Sequence, residues 1–279
     1  MAISLDVRWI HGSPDCVASA DPPLQVHALD GDTFILRQSK CLSFEAPFLY
    51  LFFGTERAIL FDTGAQPVAG RQLPLREVVS GLVAEWSAGN RRPADLVVAH
   101  THGHEDHVFG DDQFAGQPRT TIVPPTLDGV GAFFGLADWP EGSAVFDLGG
   151  RPLTLIPTPG HEPSHVAVYD ERTGILITGD VVYPGFLYVR DRAAYRASID
   201  RLARFAATHP VTYLLGCHIE MTRTPGVAYP SGTTYQPEEH ELQLLPRHLA
   251  ELAAGLAVLG DRLVRKVFDD FIVEPVARS

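Results

Sequence analysis

Cysteine is scarce in this chain, with only Cys16, Cys41 and Cys217 among 279 residues. Three scattered thiols are not the framework that staples small secreted domains, so they predict reduced cysteines and a cytoplasmic location. Basic residues are short as well. The 22 Lys and Arg face 34 Asp and Glu, for a formal net charge of -12, and the basic residues form no stripe. Binding of nucleic acid requires clustered cations against phosphates, so no nucleic-acid partner is expected. No apolar run approaches the roughly 20 residues that span a bilayer, which argues against a membrane protein. The opening residues, Met-Ala-Ile-Ser-Leu-Asp-Val-Arg, lack a charged segment followed by an apolar core, so no signal peptide is expected.

What remains is globular in character. Hydrophobic residues make up 45% of the chain and charged ones 20%, enough to bury a large core. Short runs of β-formers recur, among them Phe48 to Phe53, Arg57 to Phe61, Leu96 to Ala99, Leu153 to Ile156, His165 to Tyr169, Ile175 to Ile177 and Val211 to Leu215. Helical spacing appears from Leu75 to Trp86, from Ala193 to Ala207 and, with a break near Pro246, from Glu238 to Leu259. Strands and helices alternate without a low-complexity linker, which predicts an α/β fold. One domain is expected over residues 1–279. Its core covers about 30–220, and a C-terminal helix and extended segment at 238–274 pack on it. The aromatic-rich stretch Pro124 to Gly142 reads equally as an apolar lid or as an ordinary helix and loop on the core. Its Phe133 and Trp139 would suit a homodimer interface as well as a pocket.

The richest chemistry lies where the Leu96 strand ends. Residues 100–107 read His-Thr-His-Gly-His-Glu-Asp-His, so His102, His104, Asp106 and His107 crowd onto one turn. Imidazoles and a carboxylate so placed are the donors a divalent transition metal prefers. Three further donors follow strands. His161 sits in Thr158-Pro159-Gly160-His161, Asp180 in Thr178-Gly179-Asp180, and His218 in Gly216-Cys217-His218. Strand ends are where open α/β sheets collect active sites. Glu105 is expected to face away from the cluster. His165 reads as a packed residue or one that supports a ligand, with contact to substrate or metal as the lesser alternative.

This ordered set, together with Phe61-Asp62-Thr63-Gly64, resembles the metallo-β-lactamase superfamily over roughly residues 30 to 220, with its lactonase and glyoxalase-II-like branches nearest in motif. The resemblance implies a four-layer αβ/βα sandwich with two mixed β-sheets flanked by helices. It implies two divalent metal ions, zinc first, with iron or manganese as alternatives. One would be held by His102, His104 and His161, the second by Asp106, His107 and His218, with Asp180 bridging both. Asp62 would orient ligands, although a turn-forming Asp before Thr-Gly would look the same. The implied activity is hydrolysis, in which a hydroxide held by both metals opens an ester, lactone or thioester of a small, rather apolar substrate. Asp106 and Asp180 then serve catalysis as well as binding. Tyr183, three residues after Asp180, matches a lactonase tyrosine that steadies the developing oxyanion; a loop aromatic packed on apolar neighbours is the other reading.

Substrate is less constrained. Glutathione-cleaving relatives grip their substrate with basic residues in a C-terminal helical region, whereas Glu238, Glu239, Glu241 and Glu251 outweigh Arg247 here. β-Lactamases of the family mostly lack an aspartate at the position of Asp180. Flavodiiron members carry Glu where this chain has His104. A mononuclear iron dioxygenase acting on sulfur or persulfide keeps the His-rich motif and is the alternative activity. The loop-rich, aromatic stretch from Thr224 to Pro237 would line a pocket entrance or simply form surface.

Overall fold

A computed structural model describes residues 3–90, 94–260 and 264–276. The chain divides into two compact units. One comprises residues 1–125, 147–152 and 231–237, the other 126–146, 153–230 and 238–279.

The first unit is built on six strands: β1 (Leu24–Asp30), β2 (Thr33–Gln38), β3 (Phe48–Phe53), β4 (Arg57–Phe61), β5 (Asp95–Ala99) and β6 (Thr120–Ile122). They lie side by side in chain order. β1 to β4 are antiparallel, whereas β5 runs parallel to β4 and β6 parallel to β5. A parallel neighbour needs a crossover, and helix α1 (Leu75–Asn90) supplies it between β4 and β5. Every residue of β3 is buried, as expected of a strand covered on both faces. α1 turns Leu75, Val79 and Trp86 inward. The Trp86 ring stacks on Phe53 with centroids 5.2 Å apart, and its indole N–H donates to Asp32. The buried Arg151, from the inserted 147–152 segment, donates to the carbonyls of Asp32 and Phe53 and to the Thr33 hydroxyl. A buried guanidinium needs such partners. After β5 comes the short helix α2 (Glu105–Val108).

The cysteine expectation is corrected in this unit. Cys16 and Cys41 form a disulfide across 25 positions of sequence, whereas Cys217 of the other unit is buried and outside any disulfide. The bond ties the N-terminal segment to the connection between β2 and β3, a proximity that spacing alone does not reveal.

The second unit begins with α3 (Leu127–Phe134), capped by the Thr126 hydroxyl accepting from the Gly129 amide. β7 (Ala144–Asp147), β8 (Pro152–Pro157), β9 (Val166–Asp170) and β10 (Ile175–Gly179) follow. Then come β11 (Phe186–Val189), α4 (Arg192–Thr208), β12 (Tyr213–Gly216), β13 (Gln243–Leu244), α5 (Pro246–Leu259), β14 (Lys266–Val267) and β15 (Ile272–Pro275). The main sheet has the order β13-β12-β10-β9-β8-β7, with β12 parallel to β10 and α4 on the connection between them. A small sheet of order β11-β15-β14 completes the unit. Tyr195, Ile199 and Leu202 of α4 share one core with Leu249, Leu252 and Leu256 of α5 and with Leu176 and Leu214 of the sheet.

Two readings are refined. The helix expected from Glu238 starts only at Pro246, which occupies the first turn where its missing amide costs nothing. The segment Phe186–Val189, not among the expected strands, is strand β11, paired in parallel with β15 some eighty residues later. Among the described residues no helix is long and apolar enough to cross a membrane.

Candidate metal centre

In the first unit the donors sit where β4 and β5 end. Asp62 follows β4 directly, in the left-handed region at φ 69°, a conformation that Asp tolerates better than most residues. This backbone turn buries its carboxylate completely. The carboxylate accepts from the Thr101 amide at 2.7 Å, from the Thr101 hydroxyl at 2.9 Å and from His107 Nδ1 at 3.0 Å. With its Nδ1 proton committed to Asp62, His107 presents a lone pair at Nε2, the state in which imidazole binds metal. Asp106 Oδ2 lies 3.3 Å from that nitrogen. His102 Nε2 and His104 Nδ1 approach to 2.8 Å, two ring nitrogens converging on one place.

Two glycines make this turn tight. A Cβ on Gly103 would stand 2.5 Å from the Pro125 carbonyl oxygen, and one on Gly110 2.4 Å from that of Thr63. Thr63 in turn donates to the His107 carbonyl or to Asp111. His100 pairs with Asp111 at 2.8 Å and so has a structural partner. Glu105 is exposed.

In the second unit three strand ends supply the rest. His161 lies on the turn after β8, where its Nδ1–H donates to the Tyr188 carbonyl of β11 at 2.9 Å. That bond leaves Nε2 as the donor atom. Asp180 follows β10 and is almost fully buried. Its Oδ2 is 3.7 Å from His161 Nε2, and its Oδ1 is 3.5 Å from His218 Nε2 at the end of β12. Each carboxylate oxygen thus addresses a different imidazole. Two atoms each about 2.1 Å from a shared ion at a tetrahedral angle lie about 3.4 Å apart, so these spacings suit metal ligation better than direct hydrogen bonds. His165 is buried and accepts the Asp180 amide N–H at Nε2, 3.1 Å away, while its Nδ1 meets the Thr158 hydroxyl at 2.7 Å. It supports the aspartate rather than joining the donors.

The loops are clasped from outside. The Arg190 and Asp191 amides both donate to the Gly160 carbonyl. Ser198 of α4 donates to the Pro159 carbonyl, and the Tyr195 hydroxyl to that of Val181. Tyr183 is buried, its ring meeting His218 edge-on with centroids 5.6 Å apart. Its hydroxyl donates to the Phe186 carbonyl and stands 3.1 Å from Glu220. Burial first, then the charges of Glu220 and Asp180, raise the phenol well above its ordinary range, so it stays neutral.

The sequence marks each candidate donor described here. It does not mark Thr101, although that residue abuts His102, or Glu220, two residues beyond His218, which no motif flags.

Comparison with known proteins adds the following. The sequence profile of the Metallo-beta-lactamase superfamily matches residues 44–218. The human acyl-coenzyme A thioesterase MBLAC2 is 29% identical over 181 residues, 50% of this chain and 59% of that protein, so the chain spans less than two thirds of that relative's length. A hydroxyacylglutathione hydrolase from Synechococcus sp. (strain JA-2-3B'a(2-13)) is 31% identical over 94 residues, 33% of this chain and 37% of that one. Among solved structures, a metallo-beta-lactamase from Pontibacter korlensis superposes with a TM-score of 0.53 at 19% identity, covering 84% of this chain and 99% of the other. That likeness concerns the fold: mixed β-sheets flanked by helices, an α/β sandwich of the metallo-β-lactamase type, as the motifs led one to expect.

Proposed function

The chain belongs to the metallo-beta-lactamase superfamily, and from that premise we propose that it is a metal-dependent hydrolase acting on an ester, lactone or thioester. The observation that carries this reading is Asp180, which offers one oxygen to the side of His161 and the other to the side of His218. A buried carboxylate divided between two imidazoles in this way suits a bridge between two ions. In this proposal His102, His104, Asp106, His107, His161, Asp180 and His218 hold two divalent ions, zinc in the first instance, with iron or manganese also accepted by such donors.

Bound there, divalent ions would supply Lewis acidity and a water acidic enough to act as nucleophile near neutral pH. The protein's own groups do the rest. Asp62 and the Tyr188 carbonyl fix the tautomers of His107 and His161. Asp106 orients the attacking water besides serving as a ligand. Tyr183, kept neutral by burial, is in the protonation state needed to donate to a carbonyl oxygen as it gains charge. To do so it must turn from the Phe186 carbonyl.

Relatives named as an acyl-coenzyme A thioesterase and a hydroxyacylglutathione hydrolase favour the thioester among the three bonds. The acidic run Glu238, Glu239 and Glu241 speaks against glutathione as the carrier thiol. The deciding experiment pairs elemental analysis of purified protein with initial rates on an aryl ester, a lactone and an acyl thioester. Asp180→Asn and His102→Ala should each lower metal content and cut kcat/KM at least a hundredfold. Full activity at normal metal content in either variant would sink the assignment.

A further inference from the structure

In the second unit a cleft of about 820 Å³ opens where β11 hands over to α4. Arg190, Arg192 and Arg196 line it, with Asp191, Asp200 and Val276. Among the described residues none of the three guanidinium groups forms an ion pair. They stand at the wrong end of a helix. The N-terminus of α4 is the positive pole of its dipole, where cations are disfavoured, and its first turn holds no acid. Arg192 and Arg196, four residues apart, repel each other on one face. Asp191 helps only in part, since its carboxylate already caps the helix through the Ala194 amide. A chain with a net charge of -12 thus concentrates beside one cavity three exposed arginines that have no ion-pair partner among the described residues. Local rules broken together at one place are a mark of function, and a bound polyanion would satisfy all of these groups at once.

The cleft is joined to the candidate centre through the backbone of the same unit. The Arg190 and Asp191 amides hold the Gly160 carbonyl, at 3.0 and 2.9 Å, next to His161. The Tyr188 carbonyl, two residues before Arg190, holds the His161 ring. We propose that this cleft binds the phosphate-bearing part of the substrate, which makes the substrate an acyl thioester whose thiol carries phosphates. The proposal rests on the hydrolase reading for its catalytic half only. Arginine suits the task because its planar fork pairs with phosphate oxygens two at a time.

The test compares two thioesters with the same acyl group, one of coenzyme A and one of the uncharged N-acetylcysteamine, on wild type and on the triple variant Arg190→Gln, Arg192→Gln, Arg196→Gln. The ratio of kcat/KM for the charged over the uncharged substrate should fall at least tenfold in the variant. In wild type the same ratio should drop as salt rises from about 50 to about 300 mM. A ratio that stays constant in the variant overturns the proposal and leaves the hydrolase reading standing. Calorimetric titration with ADP separates the two ideas further. Binding by wild type that is lost in the triple variant supports the cleft even if no thioester turns over; no binding by wild type overturns it. Since the substitutions remove like-charge repulsion, the variant should melt no lower than wild type, which guards against misfolding as the cause.

Discussion

Asp62 has two distinct jobs, and a single substitution separates them. Its backbone sits at φ 69°, which Asn also accepts, whereas its charge holds Thr101 and His107. Asp62→Asn should therefore fold normally yet weaken metal binding by about 10–100-fold, the usual effect of losing a carboxylate behind a histidine ligand. Competition against a chromogenic chelator reads this out, and unchanged affinity would remove Asp62 from the support of the centre. His165 makes the complementary case. His165→Leu leaves the buried Asp180 amide without its acceptor, which should cost about 1–3 kcal/mol of stability in denaturant titration. Candidate donors such as His102 and Asp180 stand out in sequence because metals demand particular side chains at particular spacings. Supporting groups are not, since many residue types can give or take one hydrogen bond. His165 could be narrowed only to packing, support or direct contact with substrate or metal, and Glu220 carries no motif at all.

At the scale of elements, the clasp between the His161 loop and α4 depends on Gly160. Its φ is 135°, and an added Cβ would lie 2.4 Å from the Tyr195 backbone. Gly160→Ala should cost about 2 kcal/mol or more through strain at a special conformation, visible as a lower urea midpoint. A further test concerns the start of α5. His248 accepts the Leu245 amide at Nδ1 and pairs with Asp270 at 3.1 Å. Burial, its largest influence, pushes the ring below the 6.5 of a free imidazole, with Arg247 and His240 acting the same way and Asp270 opposing. The unfolded chain thus takes the proton first. The contribution is fully present above pH 6.5 and is lost as pH falls from there through the folded value. Unfolding free energy should be lower at about pH 5.5 than at about pH 7.5, and His248→Asn should flatten the difference. Strand and helix cores such as β3 and α1 follow their periodicity closely. β11 did not announce itself, because its partner β15 is remote in sequence, and α5 begins at a proline that periodicity read as an interruption.

At the scale of the whole molecule, charge and length were read directly from composition, but the covalent link was not. Two cysteines 25 positions apart can meet only if the tertiary fold brings them together. In a chain-entropy view, closing a loop of that length is worth about 3 kcal/mol. Reductant, or Cys16→Ser, should lower the melting temperature, and thiol titration of the unfolded protein should find a single reactive group, Cys217. Three reactive groups in protein isolated from its native compartment would restore the reduced state first expected. The two halves of the α/β sandwich each carry their own sheet and core, and each ends its strands in metal-type donors.

Tyr183 also limits the substitutions this sequence can explore. A Cβ on Gly185 would lie 2.2 Å from the Tyr183 ring, so alanine there becomes acceptable only after position 183 has shrunk and the Glu220 side chain, at 2.5 Å, has swung aside. Gly216 is held more firmly, since besides the Tyr183 Cβ it faces the carbonyls of Val182 and Gly179. The order of change is therefore constrained: in any lineage leading from this chain, loss of the tyrosine must come before loss of Gly185, whereas no replacement at 183 releases Gly216.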